Sequence, residues 1–379
     1  MNNCKYNKRC GGCSIGETSY DISIKNKQKE LNKLFHPFKV EDITIMENPY
    51  NYRHKVFATF TNDKRDIKCG IYEEKSHKVV CIEDCLIQND LANQILKTIC
   101  KIATKLKIRA YDEDRKIGII RHVYLRVSHS TNKILCAFVI GQDTFAGSKK
   151  FMQLLRDAHQ EISSISLIVN KRNTSVVLEG KEKILYGKGY IQDQLCNLTF
   201  KLSTNSFYQV NPTQTEKLYQ KAIELAKLSK EDNIIDAYCG IGTIGLIAAS
   251  SVKEVFSVES NTQAIRDAKE NAKINNISNI SFYNEDATKF IQEFTKQTKR
   301  ISTVFIDPPR SGSTKEFLST AVKLKPDKIV YISCNPISQK RDIEILKSLN
   351  YKLIHLSSFD LFPFTKHIET IALIVKNNH

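Results

Sequence analysis

The feature that most constrains the fold is an alternation of apolar runs and helical segments in residues 204–379. Short β-favouring runs at 234–237, 255–258, 280–283, 304–306 and 329–332 are separated by stretches with helical spacing. Strands so separated do not pair as hairpins; they line up in parallel, with helices as crossovers. Two last runs, near 353–359 and 368–375, are close enough in sequence to pair antiparallel. The region is therefore expected to be α/β, with a doubly wound, Rossmann-like sheet whose ligands lie outside the carboxyl ends of the strands.

The chain ahead of it reads differently. Residues 1–91 open with cysteines, continue with an isolated helix at 23–35, and then carry strand-like runs at 56–61, 69–72 and 78–82. Residues 92–203 begin with a helix at 91–106 and continue with runs at 119–127, 134–140, 166–170 and 175–178. The turns at 128–133 and 171–174 look like hairpin connections. The expected organisation is a cysteine-led α+β region (1–91), which the resemblance given below implies is the iron–sulfur region, an α+β central region (92–203), to which it implies RNA binding, and the α/β domain (204–379).

Charge narrows the partners. The 379 residues carry a formal net charge of +16, which favours a polyanion through counterion release. No apolar run approaches the roughly 18 residues of a membrane helix, and the first residues lack the apolar stretch of a secretory signal. A cytoplasmic, monomeric protein with an RNA partner and no membrane is expected. In a reducing compartment its 11 cysteines are buried, catalytic or metal-bound rather than disulfide-linked.

The cofactor signal is Asp236-Ala237-Tyr238-Cys239-Gly240-Ile241-Gly242-Thr243, directly after the first strand of the α/β region. Its glycines allow a tight turn where a ligand approaches the backbone. Glu259 ends the next strand, placed to accept from ribose hydroxyls, and Asp286 follows the third, placed to accept from an adenine amino group. Gly240-Ile241-Gly242-Thr243-Ile244-Gly245 also fits the dinucleotide fingerprint G-x-G-x-x-G. Asp236 would then face a pyrophosphate of like charge, whereas S-adenosylmethionine (AdoMet) offers a cationic ammonium and sulfonium.

Three further motifs follow later strands. Asp307-Pro308-Pro309-Arg310 follows the fourth; in AdoMet enzymes that act on nucleobases such an acidic turn lies between cofactor and base. Ser333-Cys334-Asn335-Pro336 follows the fifth. A thiolate adding at C6 of uracil makes C5 nucleophilic toward a methyl donor. The C5 proton must then leave, which requires a general base. His367-Ile368-Glu369-Thr370 offers two, of which Glu369 is preferred because a carboxylate is expected to stay unprotonated at neutral pH.

Together with Phe207-Tyr208-Gln209-Val210-Asn211, these motifs resemble the RNA uracil-C5 methyltransferase family, the RumA, RumB and TrmA type. The resemblance implies Gln209, Tyr238, Glu259 and Asp307 as cofactor contacts, beside Gly240 and Asp286. It implies Cys334 as nucleophile and Glu369 as base. It reaches the N-terminus too: Cys4, Cys10 and Cys13, with Gly11-Gly12 between the last two, resemble the family's 4Fe–4S ligands. Four thiolates suit such a cluster, and by spacing alone also zinc. The fourth ligand is Cys81 or Cys85; Cys85 is chosen because Cys85-Leu86-Ile87 is similar to a family segment, with Leu86 in place of its proline. Cluster cysteines almost at residue 1 resemble the RumB layout, which implies 23S ribosomal RNA as target.

Overall fold

The computed structural model describes residues 4–15, 18–73, 76, 78–172 and 177–377. They form two compact units: Met1–Ser19, Asn48–Gln194 and Lys201–Asn205 in one, and Tyr20–Glu47, Leu195–Phe200 and Ser206–His379 in the other. The first helix, α1 (Tyr20–Phe35), is expected from the sequence with the cysteines, yet it belongs to the second unit.

The first unit is built on a seven-stranded sheet of β1 (Lys55–Asp63), β2 (Asp66–Tyr72), β3 (Val79–Cys81), β4 (Ile120–Val127), β5 (Ile134–Ile140), β6 (Ile162–Val169) and β7 (Glu182–Tyr186). Their order is β3-β2-β1-β4-β5-β6-β7, with β5 and β6 parallel and the other pairs antiparallel. One sheet thus runs across the boundary expected at 91. On β1, Val56, Ala58 and Phe60 point to the core while the residues between them are only half-buried, as the two-residue period requires. Strands β4 and β5, central in the sheet, are buried along their whole length.

Helix α2 (Asp90–Lys105) packs Ala92, Ile95, Leu96, Ile99, Ile102 and Ala103 into the same core, the stripe that periodicity predicts. Asn89 caps it by accepting from the Leu91 N–H at 3.0 Å. Helix α3 (Ser148–Ala158) buries only Phe151, Met152 and Leu155, too short a stripe to stand out in the sequence. The 128–133 turn joins β4 to β5 as a hairpin. For the second expected hairpin, residues 173–176 lie outside the described residues; 177 and 178 form a turn, and the partner of β6 is β7. β8 (Tyr190–Leu195) and β9 (Leu198–Ser203) pair as a two-stranded sheet that the sequence does not announce.

The second unit follows the expected alternation: α4 (Pro212–Ala226), β10 (Asn233–Ala237), α5 (Thr243–Ala249), β11 (Glu254–Glu259), α6 (Thr262–Ile274), β12 (Ile280–Asn284), α7 (Ala287–Phe294), β13 (Thr303–Ile306), α8 (Lys315–Ala321), β14 (Lys328–Ser333), α9 (Pro336–Ser348), β15 (Tyr351–Phe359) and β16 (Glu369–Lys376). The sheet order is β12-β11-β10-β13-β14-β16-β15. The first five strands are parallel, and β16 runs antiparallel between β14 and β15. Strand order reverses between β10 and β13, and that switch point is where such sheets open a crevice. Because β16 runs the other way, its first residue shares an edge with the carboxyl ends of the parallel strands. Among the described residues no helix is long and apolar enough to cross a membrane.

Candidate active site

The turn after β10 is held open by its backbone. Tyr238, Gly240 and Gly242 all take left-handed φ values, +65°, +55° and +82°. Such a φ is ordinary for glycine and uncommon for tyrosine. A Cβ added at Gly240 would meet nothing within 4 Å, so the backbone there faces open space. Gly245, the last glycine of the fingerprint, has another task. A Cβ there would lie 2.8 Å from Asp236 Oδ2 and 2.7 Å from Ser257 Oγ, so the glycine lets α5 sit against the sheet.

Asp236 is fully buried and accepts from the Gly245 N–H at 2.8 Å. The like-charge repulsion reasoned from the sequence therefore does not act at an open ligand surface. Burial instead pushes this carboxyl up to about 7.

Glu259, at the end of β11, accepts from the Gly240 N–H at 3.2 Å and the Asn261 N–H at 2.8 Å. It ties the glycine turn to the neighbouring strand's end. Asp286 caps α7, its Oδ1 taking the Thr288 and Lys289 N–H groups at 2.9 and 3.1 Å. Tyr238 has its hydroxyl 3.1 Å from Ser313 Oγ and its ring 5.5 Å from Phe317. Gln209 is half-buried in the loop leading into α4, and among the described residues no hydrogen bond joins it to this set.

Cys334, Asp307, Glu369 and Arg310 gather one step along the same edge. Thr370 lies opposite Ser333 in the β14–β16 ladder, which brings Glu369 beside Cys334. Arg310 is stapled to the cysteine turn through its carbonyl, which accepts from Asn335 Nδ2 at 2.9 Å and Ser338 Oγ at 3.2 Å. Burial first, then the Glu369 and Asp307 carboxyls, push the Cys334 thiol up, while Arg310 pulls it back. Asp307 keeps part of its surface exposed, yet surrounding protein pushes its carboxyl up to about 7.

Glu369 corrects an expectation. It is 2% exposed, and burial, reinforced by Asp307 and opposed by Arg310, raises its carboxyl well above the usual range. Its enclosure thus favours the protonated acid, against the free carboxylate reasoned from the sequence. His367, the alternative base, has Nε2 3.2 Å from Arg310. Beside Cys334 opens a cavity of about 640 Å3, walled by Leu31 and Leu34 of α1 and by Ile337 and Lys340 of α9.

In the first unit, Cys4, Cys10, Cys13 and Cys85 line one cavity of about 310 Å3 with apolar neighbours Phe57, Ile71, Ile82 and Ile87. The Gly12 N–H points at Cys10 Sγ at 3.4 Å, and the Ile87 and Gln88 N–H groups point at the Cys85 thiol. Cys81 does not line this cavity; it faces another, with Cys69 and Cys100. Among the described residues no three or more side chains are grouped so as to hold a metal ion. The four thiols share a cavity without forming a single-ion site.

The family model described as tRNA (uracil-5-)-methyltransferase matches residues 19–377. The chain belongs to this family. An uncharacterized RNA methyltransferase of Halalkalibacterium halodurans is 35% identical over 381 residues, spanning 99% of this chain and 83% of the relative. One from Staphylococcus epidermidis is 37% identical over 382 residues, spanning 99% and 84%. Among solved structures, a Pyrococcus abyssi tRNA (uracil-54, C5)-methyltransferase in complex with S-adenosyl-L-homocysteine superposes with a TM-score of 0.82. It is 26% identical, over 97% of this chain and 86% of that one. The protein is thus an AdoMet-dependent RNA methyltransferase.

As a member of this family, it carries site features that the motif reading left without a role. Arg310 is one: Asp307-Pro308-Pro309-Arg310 draws attention to its acid, although its arginine acts on both Cys334 and Glu369. Tyr219 is another, a buried phenol in α4 beside Asp307, Glu369 and Asp236, with no motif to mark it. The wall contributed by α1 is the third, since nothing in residues 20–35 signals a place at the Cys334 cavity.

Proposed function

We propose that this methyltransferase transfers the AdoMet methyl group to C5 of a uridine in RNA through a covalent bond between Cys334 and C6. The observation that carries the reading is the meeting of Cys334, Glu369, Asp307 and Arg310 at one sheet edge. Tyr238, Gly240, Glu259, Asp286, Asp307 and Gln209 would hold AdoMet, which supplies an electrophilic methyl group. The open space at Gly240 and the carboxylates of Glu259 and Asp307 fit a cationic ligand at the switch point.

The charges at the edge support an order of events. Burial and the Glu369 and Asp307 carboxyls oppose the Cys334 thiolate, and Arg310 favours it as the thiol proton leaves to solvent. Cys334 sulfur then forms a bond to C6, and the C5=C6 electron pair moves toward C5 and O4. Once C5 has taken the methyl group, the adduct is neutral and the thiolate charge is gone. Arg310 is then free to favour the Glu369 carboxylate, which takes the proton from C5 and later releases it to solvent. The C5=C6 bond re-forms as the C6–S bond breaks, returning Cys334 as thiolate.

For the cluster, Cys4, Cys10, Cys13 and Cys85 would hold 4Fe–4S. Their shared cavity and the N–H groups aimed at two sulfurs support this donor set. The cluster would supply a rigid cross-link between the N-terminal loop and the segment after β3.

The RNA target is proposed to be 23S ribosomal RNA. Transfer RNA is the second reading, favoured by the solved tRNA relative. The test incubates the protein and AdoMet labelled in its methyl group with unmodified 23S RNA and unmodified tRNA in parallel, followed by nucleoside analysis. Label in 5-methyluridine from ribosomal RNA is expected. Label only in tRNA selects the second reading, and no labelled 5-methyluridine from either sinks the proposal.

A further inference from the structure

Cys334 borders two different environments. Toward Glu369 and Asp307 lie the groups of the reaction. It also lines the 640 Å3 cavity, together with Arg310 and His367, whereas Tyr238, Gly240, Glu259, Asp286, Asp307 and Glu369 do not line it. A volume of that size is within the range of roughly 300–1,000 Å3 typical of ligand pockets. It is not the cofactor's place, and the target base must sit where Cys334 and Glu369 converge. The remaining space is open to whatever is joined covalently to that base.

Its lining has a definite chemistry. Ile337, in the first turn of α9, is 70% exposed, while Ile343 and Leu346 further along the helix are buried. An isoleucine so placed next to a nucleophile offers an apolar face without a protein partner. Leu34 stands across from it on α1, and Lys340 Nζ donates to the Leu34 carbonyl at 2.6 Å, so the two walls are tied before any ligand arrives. Around the apolar faces stand Arg310, Lys33, Lys340 and Lys366, against a single acid, Glu30. A flat apolar ring and a phosphodiester fit these two features together, since RNA is gripped by packing on base faces and by cations on phosphate.

We infer that the α1–α9 cavity is a subsite for a nucleotide next to the target uridine, with Ile337 against its base and Lys33 near its phosphate. The inference rests on the reading of Cys334 as the nucleophile for an RNA uridine. An enzyme that draws one base out of its stack leaves the adjoining nucleotide without a stacking neighbour, and a protein face there compensates for the loss. The subsite thus helps to select sequence context around the methylated position.

The test is a double-perturbation cycle on an RNA fragment that the wild-type protein methylates. Oligonucleotides carry an abasic residue immediately 5′ or 3′ of the target, and kcat/KM is measured for wild type and Ile337→Ala. At one flank the abasic residue should lower wild-type kcat/KM about fivefold or more, as loss of a base-packing contact does. Ile337→Ala should lose a similar factor on intact RNA and almost nothing further on that abasic RNA. Lys33→Ala should weaken RNA binding and reduce the salt slope by about one. AdoMet affinity unchanged in both variants shows that the fold is intact. Losses that multiply, or a wild type indifferent to abasic residues on both flanks, overturn the subsite. A wild type that methylates RNA but forms no adduct with a 5-fluorouridine substrate fails the Cys334 reading instead, and the subsite falls with it.

Discussion

Thr370 lies opposite Ser333 in the antiparallel β14–β16 ladder, with its hydroxyl 3.2 Å from the Ser333 carbonyl oxygen. That register is what makes a site out of two distant motifs. Cys334 follows the last residue of β14, and Glu369 is the first of β16, so the reversed strand delivers its acid to the edge where the parallel strands deliver the thiol. A slip of one residue would turn Glu369 to the opposite face of the sheet.

The segment leading into Glu369 is fixed by a buried ion pair, Lys27 Nζ to Asp360 Oδ1 at 2.7 Å, with side chains 3% and 0% exposed. Lys27 also donates to the His367 carbonyl at 2.9 Å. Burial lowers the lysine's pKa and Asp360 opposes the change. Lys27→Ala should cost about 3–5 kcal/mol in urea unfolding, because it strands a buried carboxylate. Lys27→Met with Asp360→Leu should recover most of that stability but not the activity, since the His367 carbonyl stays unheld. A double variant as unstable as Lys27→Ala would contradict this account.

Protein purified without oxygen should be brown and hold about four iron atoms per chain. Cys85→Ser should lose the colour and Cys81→Ser keep it, since only Cys85 shares the cavity of Cys4, Cys10 and Cys13. Stoichiometric zinc with negligible iron and sulfide would sink the cluster assignment, and the reverse result for the two variants would exchange the ligands.

Burial sets a pH dependence with a definite sign. Asp236 and Asp307 are raised from 3.8 to about 7, so their contribution to stability is full below about 4 and is lost as pH rises through 7. The protein without cofactor should therefore lose stability across that window. AdoMet is cationic and prefers the Asp307 carboxylate, so its affinity should rise about tenfold from pH 6 to pH 8. Calorimetry in buffers of different ionisation enthalpy should show proton release below pH 7. Asp307→Asn should bind weakly with a flat profile; a wild-type affinity that falls over this range would contradict the assignment.

The sequence displays the second unit's fold because each parallel strand is a short apolar run followed by a helix, and several candidate residues sit at or just beyond a strand's carboxyl end. Cys334, Asp307 and Glu259 are legible for that reason. Ionisation is not: Glu369 looks like a strand-opening carboxylate, and only its enclosure shows why its pKa is raised. Nor is long-range partnership. Lys27 stands between Lys25 and Lys29 with nothing to mark it, and α1 reads as part of the cysteine region, because neither Asp360 nor the Cys334 cavity is near them in sequence. In the first unit, β7 is half exposed and lacks an apolar run, so its pairing with β6 leaves no pattern to read.

The order of Cys334 and Glu369 in the reaction can be read from two variants. If the thiol attacks first, Cys334→Ala should abolish both methylation and any covalent RNA adduct. Glu369→Gln keeps the shape of the side chain but cannot ionise, so attack and methyl transfer should proceed. It cannot take the C5 proton, so the C6–S bond has no route to break. A protein–RNA species resistant to denaturant, carrying the labelled methyl group, should accumulate in Glu369→Gln and not in Cys334→Ala. Because burial raises the pKa of the Glu369 carboxyl, release of product should slow as pH falls, while adduct formation with 5-fluorouridine RNA should be less affected. His367 is the neighbouring alternative, 3.2 Å from Arg310. If Glu369→Gln turns over at the wild-type rate and His367→Gln traps the adduct, the base is His367.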